Sequence, residues 1–531
     1  MTDGRKPSER GIDTSTNDDQ SSLVGSKKII GVAAVVLLSG VVGFGLVSLA
    51  DSGVDPLGIT SDEPTYLVDG EEREVQEIAG NGSEAYPFQI SSAADLQYIT
   101  YEPSAHYEVV DDIDASETAE WNDGAGFVGV DEFGGEIDGN GHEITNLTST
   151  DIGESDPVLI HTLDGDIENL TLGVNLDGEQ GESVAVPIEE STISASVSDL
   201  TVTGTVGSEE TGMAVGVVQD NSGAMSNIHV DADVVSYGTA SGIVLENNHQ
   251  ISDLRMSGTV TATSDDGTNA VGVALISTEP IRSVTMDGTV ESGYSAAGVV
   301  ATSESALTDV DVTGDVRGES WQTIGVIGTN HGQMQDISMS GTVEGERSTG
   351  IVYVNYGPAT DMTMSGEVVG EERASGIVNS VQAGSVERVT MSGSVDANRV
   401  GGIAHDMVGG EISHADVSGS LSATNDVAGV VLGAHGEEQI GVSNVIVTAE
   451  MSGSDVDPVG MRTDVVDFTH VYWDRDVVGV STTSTMVSND HGVTTEELQD
   501  EDIDVTGSAL DGFPFSVAWD VGGDDEYPRL R

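Results

Sequence analysis

The nine residues from Glu387 to Val395 read ERVTMSGSV, and they are one line of a repeated phrase. Earlier lines are TDMTMSGEV from Thr360, QDISMSGTV from Gln335 and TDVDVTGDV from Thr308. Aligned on its first apolar residue, the phrase falls at Leu170, Leu200, Ile228, Leu254, Val284, Val310, Ile337, Met362, Val389, Ala415 and Val445. The steps between these anchors are 25 to 30 residues, about 27 on average. A second phrase, a small residue and then glycine and two apolar residues, keeps step at Gly216, Gly242, Gly298, Gly325, Gly350, Gly376, Gly402 and Gly429. Two phrases locked to one period describe a single structural unit repeated along a solenoid.

The unit is built of strands. Val389, Met391 and Val395 share one parity, and Thr390, Ser392 and Ser394 share the other, the alternation of a half-buried strand. Glycine and β-branched residues dominate, and no run of ten residues keeps a helical period. Two or three short strands joined by Gly- and Asn-rich turns close one coil of a parallel β-helix. A lone coil cannot bury its apolar side; stacking at about 4.8 Å makes a continuous core. Eleven coils predict a rod roughly 50 Å long, in which each coil repeats the phrase to set the same inward ladder over its neighbour. Gly393 predicts a bend or a tight core position.

Asp and Glu number 92 against 17 Lys and Arg, a net charge of -75, and Lys6, Lys27 and Lys28 are the only lysines. Such a surface repels nucleic acid and anionic lipid. Disorder is excluded, because 37% of residues are hydrophobic and recur in strict order. The composition implies a folded protein kept soluble in near-saturating salt, where a Debye length of roughly 3 Å or less removes carboxylate repulsion. An extremely halophilic, archaeal source follows. Cysteine is absent, which excludes disulfides, thiolate metal sites and a thiol nucleophile.

Residues 29–50, IIGVAAVVLLSGVVGFGLVSLA, carry no charge and are long enough to cross a hydrocarbon core of about 30 Å. Lys27 and Lys28 precede them, and Asp51 and Asp55 follow. The positive-inside rule leaves residues 1–28 as a short cytoplasmic tail and exports the remainder. The segment reads as a transmembrane signal anchor; a signal peptide cleaved after Ser48-Leu49-Ala50 is the alternative, and would give a secreted protein. Residues 51–80 read as an acidic spacer, 81–165 as an N-terminal cap with the first coils, 166–460 as β-helix repeats and 461–531 as a C-terminal capping segment. Trp121, Trp473 and Trp519 lie outside the repeats, as aromatics plugging the two ends would. Asn81, Asn146 and Asn169 sit in N-x-S/T sequons, acceptors in an exported chain.

GNGSEAYPFQISSAADLQYI (Gly80 to Ile99), DDIDAS (Asp111 to Ser116) and GGEIDGNGHEITNLT (Gly134 to Thr148) resemble the opening of GLUG-motif surface proteins. VGGIAHDMVGGEISHADVSGSLSA (Val400 to Ala423) is similar to the GLUG repeat, and VYWDRDVVGVST with WDVGGDDEYPRLR to the segment that follows such repeats. These proteins are similar to filamentous-haemagglutinin-type adhesins. The resemblance implies a right-handed parallel β-helix at a cell surface, adhesive or of unknown role, and supplies no catalytic residues. Locally, Ser92 with Asp95 predicts a capped short helix over AADLQYI, and Asp138 with Asn140 in DGNG predicts a turn with positive φ at its glycines.

Carboxylates are the main candidates for chemistry. Asp287 points outward from its coil, and Asp311 and Asp315 from the next; an offset of two residues places such groups about 8 Å apart, a separation that suits an inverting glycosidase. With 92 acids on one rod, such neighbours also arise by chance. His249, His331 and His435 follow the second strand of their coils and read as turn residues. His331 and His435 are four coils, roughly 19 Å, apart, too far to share a metal. Calcium on turn carboxylates has no EF-hand or nonapeptide repeat behind it. Thr201, Thr203, Thr205, Thr285, Thr289, Thr313, Thr342, Thr363, Thr390, Ser392 and Ser394 form an outward hydroxyl ladder able to dock glycans or carry O-linked sugar, or are simply good exposed strand residues. The sequence therefore predicts no catalytic, cofactor or metal residues and no enzyme. It predicts an adhesin-like or structural envelope protein, anchored by residues 29–50, whose partner is a surface polysaccharide or an envelope or cell-surface protein. A polysaccharide-cleaving enzyme on the same fold is the alternative.

Overall fold

The computed structural model describes residues 65–68 and 71–74, and residues 78–531 except 151–155, 179–182, 437–439, 463–464, 480–491, 501–509, 511–512 and 521–525. The predicted anchor at 29–50 lies outside the described residues. Among those described, no helix is long and apolar enough to cross a membrane.

The chain winds as an all-β parallel solenoid of about 13 turns, whose strands each pair with the equivalent strand one coil away. Every anchor residue is the direct Cα partner of the next: Leu170 with Leu200, Val284 with Val310, Met362 with Val389 and Val389 with Ala415. The count exceeds eleven because the stack continues past both ends of the legible repeat. Phe88 pairs with Tyr107, Tyr107 with Ile137 and Ile137 with Ile167, while Val445 pairs with Val471. At about 4.8 Å per coil the rod is roughly 60 Å long.

One coil has three strands, for example Ser385–Met391, Ser394–Gly401 and Ala404–Met407. Val389 and Met391 point into the core at 0% exposure. Val395 also points inward, but from the second strand: the chain turns a corner at Ser392-Gly393, so its shared parity with Met391 does not belong to one continuous strand. The corner needs glycine because coils stack on bare backbone. A Cβ on Gly393 would lie 2.0 Å from the Gly366 carbonyl oxygen, and the glycines of the second phrase are as crowded. Gly272, in VGVA, belongs to that column too, with its hypothetical Cβ 2.0 Å from Gly298 O.

A further regularity sits one residue before each anchor. Asn169, Asp199, Asn227, Asp253, Ser283, Asp309, Asp336, Asp361, Arg388, His414, Asn444 and His470 all have φ between 50 and 59°. Each is skipped by both strands of a pair, so every coil makes the same left-handed step there and the register is kept across it. Asn and Asp dominate because their short polar side chains tolerate the left-handed region best. Inside the rod, Asn221, Asn247, Asn330 and Asn355 are fully buried in one column. Asn221 Nδ2 donates to Asn247 Oδ1 at 2.9 Å, Asn247 Nδ2 to Ser277 Oγ at 3.0 Å and Asn330 Nδ2 to Asn355 Oδ1 at 2.8 Å. The amides bond one another from coil to coil, leaving only Asn330 Oδ1 of the four without a partner, which makes polar groups tolerable in the core.

The ends close differently. Ser92 caps the predicted helix, found at Ala93–Gln97, and accepts from the Asp95 N–H at 3.3 Å; Asp95 returns the bond to the Ser91 N–H, 2.9 Å away. Ala93, Leu96 and Ile99 join the main core, as does Trp121. In DGNG the positive φ falls on Asn140 and Gly141, not on both glycines. At the far end Trp473 points inward onto the last coil. Trp519 does not plug the end. It packs with Phe513, Phe515, Tyr472 and Ile446 in a second core. Tyr472 and Ile446 face outward from the first strand row, so the C-terminal segment folds back along the outside of the rod.

Candidate functional site

The sequence candidates are held by ordinary partners. Asp287 takes a two-pronged contact from Arg255, with Nη2–Oδ2 2.6 Å and Nε–Oδ1 3.3 Å, and that hydrogen bond holds its carboxyl below the usual range. Asp315 accepts from Arg317 Nη2 at 2.6 Å and from the Thr342 N–H at 3.1 Å. Asp311 lies on the first strand row, around the corner from Asp315, and accepts from Ser338. No two of the three are brought together by a hydrogen bond. His249 sits in a turn against Gln250 O, His331 stacks on Tyr356 at 4.7 Å, and His435 lies 3.8 Å from Asp406. The hydroxyl ladder divides at the glycine corner. Thr285, Asp311, Ser338, Thr363 and Thr390 form one column, and Thr289, Asp315, Thr342, Glu367 and Ser394 another.

The structure draws attention to the concave corner where the second strand of each coil meets the third. Residues there point away from the main core and are still buried, because the two strand rows fold toward each other. Ile324, Thr349, Ser375 and Ala428 form its floor, at 1% exposure or less. Tyr353, Asn379, His405 and Leu432 form one wall, also buried. Tyr353 packs with Ile324 and Leu432 with Ala428 and Met461, in clusters separate from the main core. Toward the N-terminus the same corner is apolar, lined by Val158, Val186, Val215 and Leu245.

Two side-chain groups in this corner escaped the sequence reading. Asp220 and Glu246 are Cα partners on adjacent coils. Burial raises the proton affinity of both, and each feels a neighbouring carboxylate, Glu189 for Asp220 and Asp220 for Glu246. The other group is a column of arginines, Arg347, Arg373 and Arg399, on consecutive coils. The signal was available: ERSTG, ERASG and NRVGG each place arginine three residues before the glycine of the second phrase. Arg347 reaches Glu372 at 2.6 Å and lies 4.4 Å over the Trp321 ring, which stacks on Tyr294 at 6.2 Å. Trp321 is the tryptophan within the repeats, and both its faces are covered.

A 115-residue segment of the chain is similar to halomucin of Haloquadratum walsbyi. The identity is 41%, over 20% of this chain but 1% of halomucin. No family model matches the chain, so the GLUG-type resemblance has no family match behind it. Among solved structures, a Bacteroides ovatus protein described provisionally as an immunoglobulin A1 protease aligns over 86% of this chain and 96% of its own, at 13% identity and a TM-score of 0.20. That score is too low to bear on either fold or activity.

The folded-back C-terminus creates the most perturbed carboxyl. Asp416 follows the anchor Ala415 on the outer face and lies beneath the strand Arg529–Leu530. Burial pushes its carboxyl up to about 7, and Arg529 offsets this only in part. A raised acid favours folding while protonated, so docking of the C-terminal segment weakens as pH rises from about 4, the unfolded value, through 7, and then levels off. Asp416→Asn removes that dependence. Thermal unfolding in molar salt is expected to show the variant more stable than the parent at pH 8, with the difference gone near pH 4. A difference independent of pH would contradict the assignment. Asp474 ties the same segment from the other side. Fully buried, it accepts from Tyr527 Oη at 2.8 Å and Thr495 Oγ1 at 2.7 Å while capping the helix Arg475–Val478.

Proposed function

We propose that the chain is a surface-displayed binding rod of a halophile, adhesin-like or structural in the envelope, that presents long columns of side chains to a polysaccharide or an envelope protein. The supporting observation is the coil-to-coil register of the first strand row, which runs without a shift from Leu170 to Val471 and so offers an extended face of outward columns in place of one enclosed cleft. The likeness of one segment to halomucin, a haloarchaeal protein, favours the same setting, as does the -75 charge. Residues 29–50 would hold the rod at the membrane. Asn81, Asn146 and Asn169 are exposed and so open to glycosylation.

The test incubates the full chain in molar salt with polysaccharide extracted from haloarchaeal cells. Co-sedimentation without release of reducing ends is the expected result. Release of reducing ends that stops in Asp220→Asn or Glu246→Gln would replace this reading with polysaccharide cleavage by the half-buried carboxylate pair. Neither retention nor cleavage would remove both.

A further inference from the structure

The arginine stretch of the corner groove holds groups that the coil does not use. Arg347 and Arg399 share Glu372, at 2.6 and 3.5 Å. Arg373 stands between them, and among the described residues no carboxylate lies within ion-pair distance of it. Its Nη2 donates to Tyr353 Oη at 2.9 Å, and its Nε is buried without an acceptor. On the wall opposite, His405 is 4% exposed. Its Nδ1 lies 2.9 Å from Asp406 Oδ2, and its Nε2 is buried with no partner.

The His405 ring faces the groove. Ile403 and Ala404 before it and Met407 after it pack in the main core, whereas its column neighbours Tyr353 and Leu432 pack outside. Burial works to raise the Asp406 carboxyl, but the His405 hydrogen bond and the nearby Arg373 charge work against it and the net direction is down, so Asp406 is an ionised acceptor. Nδ1 therefore carries the ring proton. Burial, with Arg373 and Arg399 nearby, disfavours a second proton, which leaves Nε2 as a lone-pair acceptor. A charged donor and a neutral acceptor stand in one corner, each short of a partner. Buried polar groups in folded proteins are rarely left so.

We propose that the Arg373–His405 corner binds an acidic saccharide, whose carboxylate or sulfate lies across Arg373 and Arg399 and whose adjacent hydroxyl donates to His405 Nε2. The proposal rests on the reading of the chain as a surface-binding rod and names its ligand class. Guanidinium suits either oxyanion, because its planar fork offers parallel donors. A neutral sugar would supply the hydroxyl and leave Arg373 without a counter-charge. The inner set has three guanidinium groups against the carboxylates of Glu346, Glu372 and Asp406, a locally balanced site on a rod of net charge -75. In molar salt the long-range repulsion from the other carboxylates is screened, so these short contacts decide binding. Arg373 is only half-buried, so part of its side chain is open to solvent at the groove.

The experiment titrates the full chain in molar KCl with an oligohexuronate, a sulfated oligosaccharide and a neutral oligosaccharide, and reads binding by calorimetry. At least one acidic oligosaccharide is expected to bind and the neutral one not; the carboxylate and sulfate arms identify which anion the site takes. Arg373→Gln is expected to weaken binding roughly tenfold or more, the scale of a charged hydrogen bond. His405→Phe keeps the ring volume, removes the acceptor and should weaken binding several-fold. Arg255→Gln, whose partner is Asp287 on another face, should change nothing. If His405→Phe fails to fold, Arg399→Gln serves as the second variant. Failure of both acidic arms, or unchanged binding in Arg373→Gln, overturns the site. Retention on envelope polysaccharide that persists in the same variants overturns it also, and leaves the binding-rod reading standing.

Discussion

Gly325→Ala is expected to destabilise the rod by about 3 kcal/mol or more, although it adds a single methyl group. Its Cβ would fall 2.0 Å from the backbone carbonyl oxygen of Gly350 and 3.1 Å from a Val343 methyl carbon. Backbone cannot swing aside as a flexible side chain would, so relief requires the two coils to separate. Separation breaks the ladder on both sides, because the Gly325 N–H donates to Thr349 O at 2.9 Å and the Ile327 N–H to Ile351 O at 2.9 Å. Gly134→Ala is the matched control, since nothing lies within 4 Å of the position of its Cβ. Chemical denaturation followed by circular dichroism in molar salt should separate the two variants clearly. Equal midpoints would show that the glycine columns are not required for close stacking.

Met391→Asp is expected to cost on the order of 4 kcal/mol, and Ser392→Asp next to nothing. Met391 is 0% exposed, between Met364 and Val417 in neighbouring coils, with no cation to pair a carboxylate there. Ser392 is exposed at the corner beside Gly393. An aspartate at 391 must take a proton or open the coil, and in a stack of coils the opening spreads to both neighbours. The measurement is the denaturation midpoint of each variant against the parent. Similar losses at the two positions would overturn the assignment of the inward face.

Much of this architecture was legible because a solenoid writes its contacts locally. Each coil meets only its neighbours, so Val389 must match Met362 and Ala415, and the period of the anchors is the register itself. The short helix after Ser92 was equally local, since its cap and first turn lie within four residues.

What the sequence alone determined was the coil, its period, the inward residues and the bend at Gly393. It could not determine what meets across a corner. Arg373 and Tyr353 are 20 residues apart and on different strands, and their hydrogen bond exists because the second and third strand rows close to a concave angle. His405 was read as part of a GLUG-like phrase; only that angle makes it a buried ring with a free acceptor. Asp287 was legible as an outward carboxylate, but its partner Arg255, one coil away, depends on side-chain reach and not on period. The C-terminal return was least legible. Trp519 and Arg529 lie in a stretch without repeat, and their places over Tyr472 and Asp416 follow from apolar area left on the outside of the last coils, which only the assembled rod exposes.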